Sequence, residues 1–299
     1  MEHVVEIKHL SKKFKDKRAV DDVSFTIQKG EVVAILGPNG AGKTTTMLMM
    51  LGLLNPTNGS ALLFGRNAKE KTVRNRIGVM LQEVSLMDCL SVKEILQLFR
   101  SYYPAPLPYN ELIELTGLEQ EELKKRTEKL SGGQKRRVAF ALAMAGNPDL
   151  LFFDEPTVGM DVSARKHFWQ RVRELANQGK TIIFSTHYLQ EADDIADRII
   201  LFNHGRVIAD GRPDEIKKKV TKQSVSFILD PSISRESLSQ DPILSNMYEN
   251  DARIYISTDD TDAVLARIFE LKLKAVEIQI ERGRLEEAFE QLTEEREVI

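Results

Sequence analysis

The chain has 299 residues, enough for a large hydrophobic core and a prior of about two domains. Hydrophobic residues make up 42% and charged residues 29% of the chain, as in a soluble globular protein. The formal net charge of −3 provides no overall attraction to nucleic acid or anionic lipid, and the single cysteine, Cys89, excludes an intrachain disulfide and favours a cytosolic protein.

The first elements are predicted by short apolar or alternating runs. Residues 4–8 alternate and predict an edge strand, and residues 24–27 predict a second strand. Residues 12–17 predict a basic turn that carries one aromatic, Phe14. The apolar, β-branched run 32–36 predicts a buried strand.

A phosphate-binding loop follows that buried strand. Residues 37–44 fit the pattern G-x-x-x-x-G-K-[ST]. A helix is predicted from Thr44, through Thr45, to residue 51. The loop consists of Gly37, Pro38, Asn39, Gly40, Ala41, Gly42, Lys43 and Thr44. Its glycines let successive N–H groups point at one anion, and the helix N-terminus adds about half a positive charge. Lys43 can reach the terminal phosphates of a nucleotide, and the Thr44 hydroxyl can ligate Mg²⁺.

Strands are predicted at 61–65 and 77–80, and a helical region from about 88 to 147. Ser91 and Glu94 fit a capping box at the start of one helix in this region. A second capping box, at Ser131, Gly132, Gly133 and Gln134, has two glycines that leave backbone N–H groups approachable. It is either a simple helix start or a second anion site, which can serve a nucleotide held by another subunit.

Two acids follow the next buried strand, at residues 150–153. Asp154 can hold Mg²⁺ through water, opposite Thr44, and Glu155 can polarise an attacking water. A solvated acidic turn is the alternative, which the upstream phosphate loop disfavours. The strand at 181–185 is followed by His187, and residues 198–202 and 206–209 predict a hairpin.

A boundary is predicted near the lysines at 217–219. We therefore expect an ATP-binding domain at 1–219 and a small C-terminal α+β domain at 220–299. The second domain has predicted strands at 224–229, 253–257 and 275–280, and predicted helices at 262–271 and 285–292.

In this order and spacing, the loop at 37–44, Leu-Ser-Gly-Gly-Gln at 130–134, the acid pair and His187 resemble the ATP-binding subunit of an ABC transporter. The resemblance covers residues 4–212, and the run 130–134 matches the family signature without a substitution. It implies an α/β phosphate-loop NTPase core of the ABC type, with an N-terminal antiparallel β subdomain, a helical subdomain and a C-terminal accessory domain.

The resemblance also implies roles for individual residues. Phe14 matches the aromatic that stacks on adenine, with a core residue as the less favoured alternative. Gln82 matches the glutamine that links the metal site to the membrane partner. Asp154 matches the Mg²⁺ carboxylate, and Glu155 the catalytic one. Asp161 matches the aspartate of the loop that crosses the dimer interface, and His187 the histidine that contacts the γ-phosphate.

The implied assembly is a pair of such subunits, identical or not, arranged head to tail. Each ATP with its Mg²⁺ lies between the loop 37–44 of one subunit and the segment 131–134 of the other. Residues 155–161 and 185–193 resemble the export branch, whose permease is a separate multi-span chain, so we expect the subunit at the cytoplasmic face of the membrane.

Two alternatives stay open at this point. One is a soluble ABC ATPase that acts on DNA or ribosomes, which the missing coiled coil and zinc-binding cysteines and the net charge disfavour. The other is a regulatory nucleotide-binding module, which Glu155 and His187 disfavour. We expect no nucleic-acid partner.

Overall fold

The computed structural model describes residues 2–83, 85–220, 223–229, 241–250, 253–258 and 260–281, together with Leu285 and Phe289. The chain forms two compact units, Met1–Arg212 and Pro213–Ile299. The division falls before the boundary expected at 219–220, because the lysine run that suggested a linker lies inside helix α9 (Pro213–Val220).

The first unit begins with a three-stranded antiparallel sheet in the order β2-β1-β4. Its strands are β1 (His3–Phe14), β2 (Lys17–Gln28) and β4 (Asn58–Leu63). The prediction of an edge strand at 4–8 was wrong, since β1 pairs on both sides. Alternation shows that one face is buried but does not reveal how many neighbours a strand has. The expected basic turn at 12–17 is mostly strand, and only residues 15 and 16 form the turn.

The second sheet of this unit has six strands in the order β5-β6-β7-β3-β8-β9. They are β3 (Val32–Leu36), β5 (Ile77–Met80), β6 (Leu150–Asp154), β7 (Thr181–Ser185), β8 (Arg198–Asn203) and β9 (Arg206–Gly211). All neighbours are parallel except the β8–β9 hairpin. β3, β6 and β7 are buried along their whole length, as expected for parallel strands covered on both faces.

The helices of the first unit lie in the connections between its strands, and some of them cover the two faces of the six-stranded sheet. They are α1 (Lys43–Met50), α2 (Lys71–Arg74), α3 (Val92–Ser101), α4 (Tyr109–Thr116), α5 (Gln120–Leu123), α6 (Gly132–Met144), α7 (Val162–Asn177) and α8 (Leu189–Ile195), with a 3₁₀ turn at Thr127–Lys129. On one face, α1 shares a buried cluster with the antiparallel sheet. On the other, α6 and α7 contribute a chain of ring contacts among Phe140, Phe153, Phe168, Trp169 and Phe184.

The second unit contains a four-stranded antiparallel sheet in the order β11-β12-β10-β13. Its elements are β10 (Gln223–Leu229), β11 (Met247–Asn250), β12 (Arg253–Thr258), α10 (Thr261–Glu270) and β13 (Ala275–Glu281). Val264 and Ile268 of α10 join its core with Phe227. β11 was missed by the sequence analysis, and the helix predicted at 285–292 lies outside the described residues except for Leu285 and Phe289. Within the described ranges, no helix combines the length and apolar character needed to cross a bilayer.

Candidate nucleotide site

The loop 37–44 connects β3 to α1 in the expected strand–loop–helix arrangement. Gly37 has φ 150°, and a Cβ there would lie 2.3 Å from the backbone oxygen of Phe202. Gly42 has φ 104°, and its Cβ would lie 2.5 Å from the oxygen of Ala19. Both positions therefore require glycine, and the loop is held closely against neighbouring backbone.

Lys43 is largely buried at the first turn of α1. Its Nζ donates to the carbonyl oxygens of Gly37 (2.7 Å) and Pro38 (3.1 Å), so the ammonium group lies inside the curve of the loop. Burial lowers the pKa of Lys43, while the nearby carboxylates of Glu155 and Asp154 oppose that shift. The cation and both predicted acids are thus neighbours.

The order of the strands explains this convergence. β7 lies between β3 and β6, so the carboxyl ends of all three meet at one edge of the sheet. In the register, Ser185 is opposite Asp154 on one side and Ile35 on the other. Ser185 is fully buried, and its hydroxyl donates to the Asp154 carboxylate and accepts the N–H of Glu155 at 3.0 Å. Asp154 is therefore a buried carboxylate in a fixed orientation.

Glu155 and His187 lie in direct contact beyond these strand ends. His187 Nδ1 is hydrogen-bonded to Glu155 Oε2, and the contact is an ion pair when the imidazole is protonated. The Glu155 side chain is 11% exposed and the His187 side chain 49% exposed. Glu155 has φ 51°, a left-handed conformation that is uncommon for a residue other than glycine.

The other residues that this subunit is predicted to use for nucleotide and metal binding are at least partly exposed. The hydroxyl-bearing Thr44 is exposed on the first turn of α1, and Thr45 is half-buried. Phe14, at the end of β1, is 47% exposed and lies under the Lys12 ammonium at 5.1 Å, so it is not a core residue. Gln82 is exposed in the segment that follows β5.

The segment 131–134 forms the predicted capping box at the start of α6. Gln134 Oε1 accepts the N–H of Ser131 at 2.8 Å, and Gln134 Nε2 donates to Glu122. A Cβ on Gly132 or Gly133 would meet no atom within 4 Å among the described residues, so the space beside both glycines is open. Asp161 is exposed and caps α7 by accepting the N–H of Ala164 at 2.8 Å.

Sequence reasoning missed a cation that joins these parts. Arg136, on α6, donates to the backbone oxygens of Glu155 and Pro156, each at 3.2 Å, and of Gln82 at 3.3 Å. It links the capping-box helix to both the acid loop and the glutamine segment. The sequence shows only a basic run after Gln134, from which the partners of one arginine do not follow.

The parallel sheet, the glycine-rich loop at a helix N-terminus and the acid pair define a phosphate-loop nucleoside triphosphatase. A family model described as "ABC transporter" matches residues 20–158. Nod factor export ATP-binding protein I of Burkholderia lata is 39% identical over 244 residues, which cover 79% of this chain and 80% of that protein. Probable multidrug ABC transporter ATP-binding protein YbhF of Escherichia coli is 41% identical over 223 residues. The match covers 72% of this chain and 38% of that protein.

The fold comparison agrees. A solved structure described as a dimeric post-hydrolysis state of the ATP-binding cassette MJ0796 bound to ADP and Pi superposes with a TM-score of 0.64 at 28% identity, over 70% of this chain and 98% of that one. The chain belongs to the family of ABC transporter ATP-binding proteins. Members of this family are ATPases coupled to transport; they bind ATP, generally with Mg²⁺, dimerise and work with membrane permease components.

Proposed function

We propose that two copies of this chain, or this chain and a related ATPase subunit, bind and hydrolyse ATP head to tail to power export through a separate permease. The observation that carries this proposal is the convergence of Lys43, Asp154, Glu155 and His187 at one edge of the sheet. A positive group for phosphate, a buried carboxylate for a cation and a carboxylate–imidazole pair are the parts that phosphoryl transfer to water requires.

Binding of ATP starts from the loop. The N–H groups of residues 39–45 and the N-terminus of α1 would receive the phosphates. Lys43 would exchange its two loop carbonyls for phosphate oxygens, which is favourable because a phosphate oxygen carries more negative charge than a carbonyl. The exposed ring of Phe14 would stack on adenine.

The donor set suits Mg²⁺, which prefers oxygen ligands. The Thr44 hydroxyl, the Asp154 carboxylate and the Gln82 amide oxygen would hold it together with phosphate oxygens and water. When bound, the ion neutralises charge that develops on the phosphates.

Hydrolysis depends on Glu155 and His187. The Glu155 carboxylate would orient a water and accept its proton, and His187 would donate a hydrogen bond to the γ-phosphate. In the structure His187 uses Nδ1 to hydrogen-bond Glu155 Oε2, so Nε2 would be the nitrogen that donates to the γ-phosphate. Glu155 Oε1 would then receive the water.

A second subunit supplies the remaining contacts. Ser131 and Gln134 use their N–H groups within the capping box, and the space beside Gly132 and Gly133 is open. We therefore propose that the segment of Ser131, Gly132, Gly133 and Gln134 binds the γ-phosphate of ATP held by the partner. Asp161, exposed at the start of α7, would lie in that interface. The relative with ADP and Pi is described as dimeric, which supports this arrangement.

Coupling to the permease is assigned to the segment after β5. Gln82 and Met87 are exposed and Leu86 is half-buried, whereas Val84 lies outside the described residues. Export is supported by the names of the relatives, one for Nod factor export and one for a probable multidrug transporter. The subunit would lie at the cytoplasmic face of the membrane, attached through its permease.

The direct experiment is ATP turnover by the purified chain and by Lys43→Ala, combined with fractionation of cells that express it at native level. We expect turnover that requires Mg²⁺ and Lys43, and co-purification with a multi-span membrane protein. Co-purification with ribosomes or DNA instead, without a membrane protein, would contradict the transporter assignment.

A further inference from the structure

Side chains connect the ends of β6 and β7 by hydrogen bonds at three places, and one of these places uses a residue outside the proposed machinery. Ser185 bonds Asp154, and His187 bonds Glu155. The third connection passes through Glu191 in the first turn of α8. Because α8 contributes no other part of the site, this contact brings in a separate element of the fold.

Glu191 is a buried carboxylate, 6% exposed, whose two oxygens are both used. Oε1 accepts the hydroxyl of Thr157 at 2.7 Å, and Oε2 accepts the hydroxyl of Thr186 at 2.5 Å. Arg165 Nε lies 3.5 Å from Oε1, and its guanidinium also lies 3.9 Å from the centre of the Tyr188 ring. Both side-chain oxygens accept a hydroxyl, which a carboxylate allows and a carboxamide, with its single acceptor oxygen, does not.

The two threonines stand beside the two residues that we assign to hydrolysis. Thr157 is two residues after Glu155, and Thr186 directly precedes His187. The Thr186 hydroxyl also accepts the N–H of Tyr188 at 3.0 Å, which closes a turn around His187. One oxygen of Glu191 therefore holds the acid loop, and the other holds the turn that aims the imidazole.

We infer that Glu191 is a positioning residue, which fixes the loop of Glu155 relative to the turn of His187 and so sets the rate of hydrolysis without contacting ATP. This inference rests on the proposed roles of Glu155 and His187. Arg165 extends the network to α7, four residues along the chain from Asp161. The network thus joins three segments whose relative positions the reaction needs.

The test compares Thr186→Val with Thr186→Ser, and Glu191→Gln with the matched control Glu174→Gln, a half-buried acid on α7 that pairs with Arg171. Valine keeps the shape of threonine but removes the hydroxyl, whereas serine keeps the hydroxyl. We expect Thr186→Val and Glu191→Gln to lower kcat roughly 10- to 100-fold, the order of loss that follows from misplacing reacting groups by about 1 Å. ATP affinity, measured by nucleotide titration, should stay within about twofold. Thr186→Ser and Glu174→Gln should keep most of the activity.

A cycle with His187→Ala separates positioning from general stability. If Glu191 acts by fixing the loop of Glu155 relative to His187, that relation no longer matters once the imidazole is removed. Adding Glu191→Gln to His187→Ala then lowers single-turnover hydrolysis of radiolabelled ATP by less than about twofold. A full additive loss, or turnover by Thr186→Val equal to that of Thr186→Ser, would overturn the inference. Wild-type turnover by both His187→Ala and Glu155→Gln would instead overturn the proposed function.

Discussion

Replacing Ser185 with alanine tests whether the strand ends hold Asp154 as described. The substitution keeps the carbon skeleton and removes one fully buried hydroxyl. A hydrogen bond to a charged group contributes about 1.5–3 kcal/mol, and the Asp154 carboxylate loses such a donor. The N–H of Glu155 loses less, because it still donates to the backbone oxygen of Ser185 at 3.2 Å. We therefore expect the free energy of unfolding to fall by about 2–3 kcal/mol.

Urea unfolding can be followed by the fluorescence of Trp169, the chain's only tryptophan, which is buried in the first unit. With a typical urea m-value for a unit of this size, the midpoint should move down by about 1 M. Ser101→Ala is the control, since that hydroxyl is exposed and bonds only to the carbonyl of Leu98 within its own helix among the described residues. Equal midpoints for Ser185→Ala and Ser101→Ala would refute the reasoning.

Three further expectations concern separate parts of the chain. Gly132→Asp places a negative side chain where the partner's phosphate must approach, so ATPase activity should be lost while the isolated subunit binds ATP normally; equal loss of both would assign the segment to its own subunit's nucleotide. Burial lowers the pKa of Lys43 below its ordinary value of 10.5, and phosphate attracts only the protonated amine. ATP affinity, measured by nucleotide titration, should therefore fall before the pH reaches 10.5. Lys43→Arg should show no such fall, because arginine stays protonated. A chain that ends at Arg212 should fold and bind ATP, as measured by thermal unfolding with and without nucleotide; a folded truncation that binds none would contradict separable units.

Local sequence patterns predicted the parts of the site that are local in the chain. The loop 37–44, the strand at 77–80 and the capping boxes at Ser91 and Ser131 depend on neighbouring residues, and the structure has each of them. The loop pattern and the following helix together predict a phosphate site, because backbone N–H groups and one lysine attract an anion.

Contacts between distant segments did not follow from the sequence. Ser185 bonds Asp154 only because β6 and β7 are adjacent and in register, and a serine at a strand end has no pattern that reveals its partner. The same holds for Arg136 and Glu191, whose acceptors or donors lie in loops far along the chain. β11 was missed because its sequence, Met-Tyr-Glu-Asn, neither alternates nor forms an apolar run.

The central claim is that Glu155 drives hydrolysis of ATP enclosed between two subunits, and Glu155→Gln tests it most directly. A carboxamide cannot accept the proton of water, so turnover should fall about 10²- to 10⁴-fold. Binding should survive, because Lys43 and the loop are unchanged. With saturating ATP and Mg²⁺, we predict that the purified variant elutes from size exclusion as a dimer, whereas the wild-type chain does so only transiently. A variant that hydrolyses ATP at the wild-type rate, or one that is inactive yet stays monomeric with saturating ATP, would contradict the account.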